Sequence, residues 1–256
     1  MDCILTREHA VDGGRIVQLS LNTGRGNPLT LEFIEALDHV LDELASDLPR
    51  ALVIDGGDGR IFSGGFALPE IASWDRARLS DFFEGFMNVI YKIMSLNCPS
   101  IAALGGHAVA GGFILSLACD LRVVGQKGLK FGLSEVDLGV AVPAGTAVLL
   151  AARTSLQTSL RMSMFGQLID CDTALSIGYA DELAEQPSLR ALQVAETLAN
   201  KPGQGVSKTR SLQARPLIAA MQRAEIDGTE TFLDTWFSVE GQTALHAMAE
   251  RLSSSG

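Results

Sequence analysis

No stretch of eighteen or more apolar residues occurs in these 256 residues, so no segment is long enough to cross a bilayer as a helix. The four cysteines, Cys3, Cys98, Cys119 and Cys171, are scattered without C-x-x-C spacing. A disulfide framework and a zinc site are therefore not expected; reduced, mostly buried thiols are. The histidines His9, His39, His107 and His246 have no metal-ligand spacing either, so no metal is expected. There is no G-x-S-x-G elbow, no G-x-x-x-x-G-K-[ST] loop and no G-x-G-x-x-G, which argues against an α/β-hydrolase nucleophile, a P-loop and a dinucleotide fingerprint. Basic residues are short, with 20 Lys and Arg against 30 Asp and Glu and a net charge of -10. Neither nucleic acid nor an anionic membrane is an expected partner of such a chain, although local N–H groups can still hold a small anion. Asp2, Arg7 and Glu8 interrupt the N-terminal segment, so no signal peptide is expected. The closing SSSG is not a peroxisomal address, and the expected location is cytoplasmic.

What is present describes a water-soluble domain with a sizeable core: 47% of the residues are apolar and 20% charged. Apolar alternation predicts strands over 2–8 and 15–21 around the turn Asp12-Gly13-Gly14. Thr30 reads as the N-cap of a helix over 31–45, with Phe33, Ile34, Leu37, Val40, Leu41 and Leu44 on one face. A buried strand is expected at 51–57, a glycine-rich loop at 60–65, and a helix over 75–96 carrying Phe82, Phe83 and Phe86. Core packing is the first reading of that aromatic stripe; lining an apolar pocket is the second. Further along come strands at 101–104, 121–124 and 129–131, and helices at 111–118, 145–152, 156–164 and 188–200. Between them, 166–183 reads as a short strand and a helix capped by Asp172. Almost everything from Val206 to Leu252 is helical in pattern. The expected organisation is an α/β core over 1–200 and a helical region over 201–256.

The chemistry concentrates between Gly105 and Glu135. Gly105, Gly106, Gly111 and Gly112 fall between an apolar strand and an apolar helix, a pattern that leaves backbone N–H groups uncovered beside a helix N-terminus. Such donors suit an oxyanion. Glu135 follows, flanked by Leu133, Val136 and Leu138. A donor nest plus one carboxylate fits enolate chemistry; a tight strand–helix connection plus a surface glutamate fits the same spacing. His107 lies beside the nest and has two readings, first a loop histidine satisfied by backbone and second a catalytic group.

In order and separation, IFSGGFAL at 61–68, CPSIAALGGHAVAGGFILSLACDLRVV at 98–124, FGLSEVDLGVAVPAG at 131–145 and LIDCDTALSIGYADEL at 168–183 resemble the crotonase (enoyl-CoA hydratase/isomerase) family. The resemblance implies an α/β fold, a spiral of ββα turns, with a helical C-terminal trimerisation region giving a homotrimer or a dimer of trimers. It implies an acyl-CoA thioester as substrate, with no separate cofactor because coenzyme A is part of that substrate. By the same resemblance, the amides of Gly64 and Gly111 bind the thioester oxygen. Phe66, Ala67 and Leu68 form the segment that meets the adenine, and Arg25 lies in the loop facing the CoA phosphates. The family usually has Asp where this chain has Ala67. Phe82, Phe83 and Phe86 are candidates for bordering the acyl tunnel.

One departure sets the expected reaction. Hydratases of this family hold a water between two glutamates; the first falls on Ile114, the second on Glu135. An isoleucine neither orients water nor transfers a proton, an assistance worth about 10²–10⁴-fold in rate. A single base suffices to move a double bond from C3 to C2, and the members that do so resemble this chain in having an apolar residue at the first position and GLxE around the second. The expected activity is therefore a 3-enoyl-CoA to 2-enoyl-CoA isomerase. The alternatives are another enolate reaction (hydration, decarboxylation, thioester hydrolysis or C–C bond formation) or a catalytically silent acyl-CoA-binding member.

Overall fold

Val17, Leu19 and Leu21 alternate with residues of the opposite face along β2 (Gly14–Leu21), which pairs antiparallel with β1 (Ile4–Val11) around Gly13. The computed structural model describes residues 2–57 and 59–254. Thr30 caps α1 (Leu31–Ser46) by accepting the Phe33 amide at 3.1 Å. The apolar run at 51 becomes β3 (Ala51–Asp55), every residue of which is buried. Next come β4 (Ile61–Ser63), the one-turn α2 (Leu68–Ile71) and α3 (Arg76–Ser95), capped by Asp75. β5 (Ser100–Leu104) and β6 (His107–Val109) lead into α4 (Gly111–Ala118). β7 (Leu121–Gly125) and β8 (Phe131–Gly132) are followed by a 3-10 turn over Glu135–Leu138 and by α5 (Ala144–Arg153) and α6 (Leu156–Phe165). α7 (Cys171–Ser176), β9 (Glu182–Ala184), α8 (Pro187–Ala199), α9 (Gly205–Trp236) and α10 (Val239–Ser254) complete the described chain.

The order of strands is β1-β2-β3-β5-β7-β9 in a large sheet, parallel after the first pair, and β4-β6-β8 in a small parallel sheet. After the β1–β2 hairpin and α1, each of the passes β3–β4, β5–β6 and β7–β8 places one strand in the large sheet and the next in the small one before a helix returns the chain. This is the spiral of ββα turns. A parallel strand needs such a crossover, because a tight hairpin only reverses direction. α8 covers one face of the large sheet with a stripe of small residues, Ala191, Ala195 and Ala199, against Ile16, Val53, Ile101 and Val123. The other face carries the main core, to which α1, α3, α4 and α5 contribute.

Several expectations shift. The loop read at 60–65 contains a strand, and 107–109 is another. Their three residues are too short for alternation to register in the sequence, and they form only because each finds a partner in the small sheet. Asp170, not Asp172, caps α7: its Oδ1 accepts the Thr173 amide at 2.9 Å, while Asp172 sits in the first turn. The expected strand after Gly166 reduces to one bridge, Phe131 to Ile169. The helical tail is one 32-residue helix, passing through Pro216, and a second that turns back after Phe237.

That tail is fastened to the spiral. Phe83 stacks on Phe232 at 4.5 Å, α9 packs on α5 and α3, and α10 packs on α2. Arg210 is buried; it bonds the Asp120 carboxylate and the carbonyls of Leu96, Met94 (3.0 Å) and Ile93 (2.9 Å), capping the C-terminal end of α3. Removing one member of such a set strands the other charge. Arg210→Ala is expected to cost about 3–5 kcal/mol of stability, measured by urea denaturation. Among the described residues no helix is long and apolar enough to cross a membrane.

Candidate active site

β4 and β6 are parallel neighbours, with Ile61 opposite His107 and Ser63 opposite Ala108, so the two glycine segments lie side by side. The approach is close enough to exclude side chains. A Cβ on Gly112 would lie 2.3 Å from the Ser63 carbonyl oxygen. One on Gly65, at φ +91, would lie 3.0 Å from the Gly111 nitrogen. Ala110 precedes α4 at φ 49, an uncommon conformation for a residue with a Cβ, and offers its helix no side-chain cap. The Gly111 amide, first of that helix, therefore has no partner among the described residues, and neither does the Phe66 amide. These two uncovered donors flank Gly65.

Gly64 does not join them as expected. Its amide donates to the Gly26 carbonyl at 2.9 Å, which ties the 22–28 loop to the small sheet and leaves no proton for a ligand. The donor of this segment is two residues further on, at Phe66. The aromatic stripe also has another task. Phe82 and Phe86 stand edge-on to the Phe66 ring at 4.9 and 5.0 Å, fully buried, and hold it rather than line the cavity; Phe83 packs on Phe232. Ala67 is buried, with its amide donated to the Leu29 carbonyl at 3.1 Å, and Leu68 reaches the cavity. His107 accepts the Lys130 amide through Nδ1 at 2.9 Å. It is satisfied by backbone, as its position beside the nest implied.

β8 pairs with β6 and ends at Gly132, so Ser134 and Glu135 are delivered to the opening of the same cavity. The 3-10 turn is closed by Gly139 at φ 71, whose amide reaches the Val136 carbonyl at 3.1 Å. The turn packs on α6, and Gly166 at the end of that helix has φ +60, where a Cβ would touch the Asp137 carboxylate at 2.9 Å. Gly166→Ala is expected to cost about 1–2 kcal/mol through the left-handed backbone alone, with the loss read by urea denaturation.

Glu135 is half-buried, yet its Oε2 has no solvent contact and no hydrogen-bond partner. Burial pushes its pKa from 4.5 up to about 7, against a smaller downward pull from the backbone amides of Glu135 and Ser134. Among the described residues no cation bridges to it. Ile114 lies one turn into α4, 2% exposed, in the wall of the same cavity of about 280 Å³. The far wall is apolar and comes from the tail: Phe232, Trp236, Leu245 and Met248. The sequence reading assigned none of these four residues to the site. Their one signal was the Phe232–Trp236 pair at helical spacing in an otherwise polar helix.

Beyond the 22–28 loop lies a larger cleft of about 700 Å³, bordered by Arg7, Arg25 and Arg60. Size does not make it the reaction centre. Its buried acid, Asp55, is engaged by the Gln18 amide at 2.5 Å and the Gly57 amide at 2.9 Å. The cleft offers positive charge; the smaller cavity offers an unengaged base beside uncovered amides.

Spiral, paired glycine segments and helical tail define a crotonase-type α/β protein. The chain belongs to the enoyl-CoA hydratase/isomerase family, whose model matches residues 13–255. It is 28% identical over 213 residues to a putative enoyl-CoA hydratase of Thermus thermophilus, covering 82% of this chain and 83% of that one. It is 31% identical over 173 residues to the human mitochondrial methylglutaconyl-CoA hydratase, covering 67% of this chain and 51% of that one, so the match spans about half of this relative. In fold it is similar to human mitochondrial delta3-delta2-enoyl-CoA isomerase, with a TM-score of 0.90 at 21% identity over 99% of both chains.

Proposed function

We propose that the chain isomerises 3-enoyl-CoA thioesters to 2-enoyl-CoA thioesters by a one-carboxylate proton shuttle. The observation that carries this reading is the Glu135 carboxylate, whose buried Oε2 has no hydrogen-bond partner, sharing a largely apolar cavity with Ile114 and two uncovered amides. The thioester oxygen accepts from the Phe66 and Gly111 N–H groups. Charge leaving C2 as a proton is lost then accumulates on that oxygen, where fixed donors hold it without reorganising. One such donor is worth about 2.7–4 kcal/mol in the transition state. The Glu135 carboxylate removes a C2 proton, the electron pair spreads over the dienolate, and the protonated Glu135 returns the proton at C4. The double bond then lies between C2 and C3, and the enzyme is restored with no net change in atoms or charge. A base with a pKa near 7 accepts a carbon-bound proton better than an ordinary carboxylate and is still about half ionised at neutral pH.

The reaction needs no cofactor besides the coenzyme A that the substrate carries. Arg7, Arg25 and Arg60 supply positive charge for its phosphates. Assembly as a homotrimer or dimer of trimers belongs to the same proposal. α6 presents Leu156, Leu160, Met164 and Phe165 to solvent along its length, an apolar surface suited to a second copy.

Incubation with 3-hexenoyl-CoA, followed by the absorbance of the conjugated thioester, tests the reading. Conjugated product from this ester, without hydration of crotonyl-CoA, is the expected result. Hydration of crotonyl-CoA at a comparable rate would overturn it.

A further inference from the structure

Ser63 touches both donor segments: its carbonyl abuts Gly112, and its fully buried side chain holds Gly65. Its Oγ donates to the Asn27 carbonyl at 2.7 Å and accepts the Gly65 amide at 3.1 Å. A hydroxyl has one proton to give, so the bond to Asn27 fixes its direction and leaves its lone pairs for Gly65. Gly65 is held at its other end as well, where its carbonyl accepts the Leu29 amide at 2.8 Å. Leu29 in turn accepts the Ala67 amide at 3.1 Å, which makes a parallel bridge between Leu29 and Phe66. In such a bridge the bonds belong to the residues before and after Phe66. The Phe66 N–H therefore points the other way, opposite the Gly65 carbonyl across one planar trans peptide. How firmly Gly65 is gripped sets where that donor aims.

Asn27 anchors the grip. It is 5% exposed and stands at φ 44, an uncommon conformation for a residue with a Cβ. Its Nδ2 donates to the carbonyls of Gly56 at 2.9 Å and Ile61 at 3.3 Å, and its Oδ1 accepts the Thr23 amide at 3.3 Å. One side chain thus ties the end of β3, the start of β4 and the 22–28 loop together. Every polar group in this chain of bonds has a partner until it reaches the Phe66 N–H, which has none among the described residues. A satisfied buried network rigidifies the backbone it holds, and here it ends on a free donor.

Resting on the isomerase reading above, we propose that Ser63 and Asn27 are positioning residues for that reaction, acting through Gly65 to aim the Phe66 N–H at the thioester oxygen. Neither side chain touches the reacting atoms. A donor of this kind works only within about 0.5 Å and 10–20° of its productive geometry, so loosening Gly65 weakens it without deleting it.

The test is read first on an ester that does not react. Hexanoyl-CoA carrying ¹³C at its thioester carbon reports the pull on its carbonyl as a lowered C=O stretching frequency in an infrared difference spectrum. The native protein is expected to lower that frequency relative to the free ester. Ser63→Ala is expected to lose about half of the shift, the share of one of two donors. Asn27→Gly keeps the backbone conformation, removes the anchoring side chain and should reduce the shift in the same direction. With 3-hexenoyl-CoA, Ser63→Ala should lower kcat about 10–100-fold and change KM by less than about threefold, because the affected bond strengthens in the transition state. The two substitutions together should cost less than the product of their separate effects, since both act through Gly65.

A carbonyl shift of native size in the variants, or no shift in the native protein, would overturn the proposal. So would a loss of kcat that only tracks the folded fraction and leaves the carbonyl frequency where the native protein puts it. Asn27→Gly answers the same question should Ser63→Ala not fold. If the isomerase reading alone fails, no conjugated product appears from 3-hexenoyl-CoA, while the carbonyl shift and its loss in the variants persist.

Discussion

Glu135→Gln is expected to remove double-bond migration, lowering kcat by about 10²–10⁴-fold, while CoA-ester affinity stays nearly intact. The amide fills the same space but cannot hold the C2 proton. In the native enzyme, kcat/KM for 3-hexenoyl-CoA should level off above about pH 7 and fall about tenfold for each pH unit below it, because only the ionised carboxylate accepts a proton. A flat profile through that range would mean that a different group is the base.

The same substitution should alter stability in a pH-dependent direction. The folded protein holds the Glu135 proton up to about pH 7, whereas an ordinary glutamate releases it near 4.5. Below 4.5 both states are protonated and nothing is lost. As the pH rises from there to about 7, the unfolded chain releases a proton that the native chain retains, and native stability declines. Above 7 the loss is complete, at up to about 3 kcal/mol. Glutamine does not titrate. Relative to the native chain, Glu135→Gln should therefore gain up to about 3 kcal/mol between about pH 4 and about pH 8, measured by denaturant midpoints at both. Lost activity together with that gain is the signature of a carboxylate placed for chemistry at the expense of stability.

The second large effect concerns the oxyanion donors. Gly111→Pro deletes the uncovered N–H at the first position of α4, where a helix tolerates proline. Any side chain there crowds Leu29 and Phe66, whose atoms lie 3.0 and 3.2 Å from the added Cβ. Gly111→Ala is the control, since it adds the same Cβ and keeps the proton; only the restraint of the proline ring on Ala110 differs. Relative to that alanine variant, the proline variant should lose a further 10²–10³-fold or so in kcat. Equal activity of the two would remove the Gly111 amide from the mechanism. The matching substitution at Gly64 carries no such expectation, because that amide is already donated to Gly26.

The longer strands and helices, the core faces of α1 and α3, and the glycine segments were legible in the sequence, because each rests on local periodicity or on a residue type only one backbone accepts. Glu135 stood out as an acid in an apolar setting, flanked by Leu133, Val136 and Leu138. The donor opposite Gly111 was not legible. Gly64 and Phe66 both follow Ser63, and only the 22–28 loop, packed against the small sheet, decides which amide is used up. The aromatic stripe on α3 was correctly read as apolar, but a helix pattern does not say whether a ring faces a cavity or another ring; Phe66 takes the space in front of Phe82 and Phe86.

By itself the sequence determined an α/β core with a helical tail and a candidate base at Glu135; its resemblance to the crotonase family implied the ββα spiral and placed apolar Ile114 where a second acid would stand. Only the tertiary structure decided which amides remain free, how far the base is stripped of water, and that Trp236 of the tail closes the cavity. Those depend on contacts between segments many residues apart, whose distances no local pattern records.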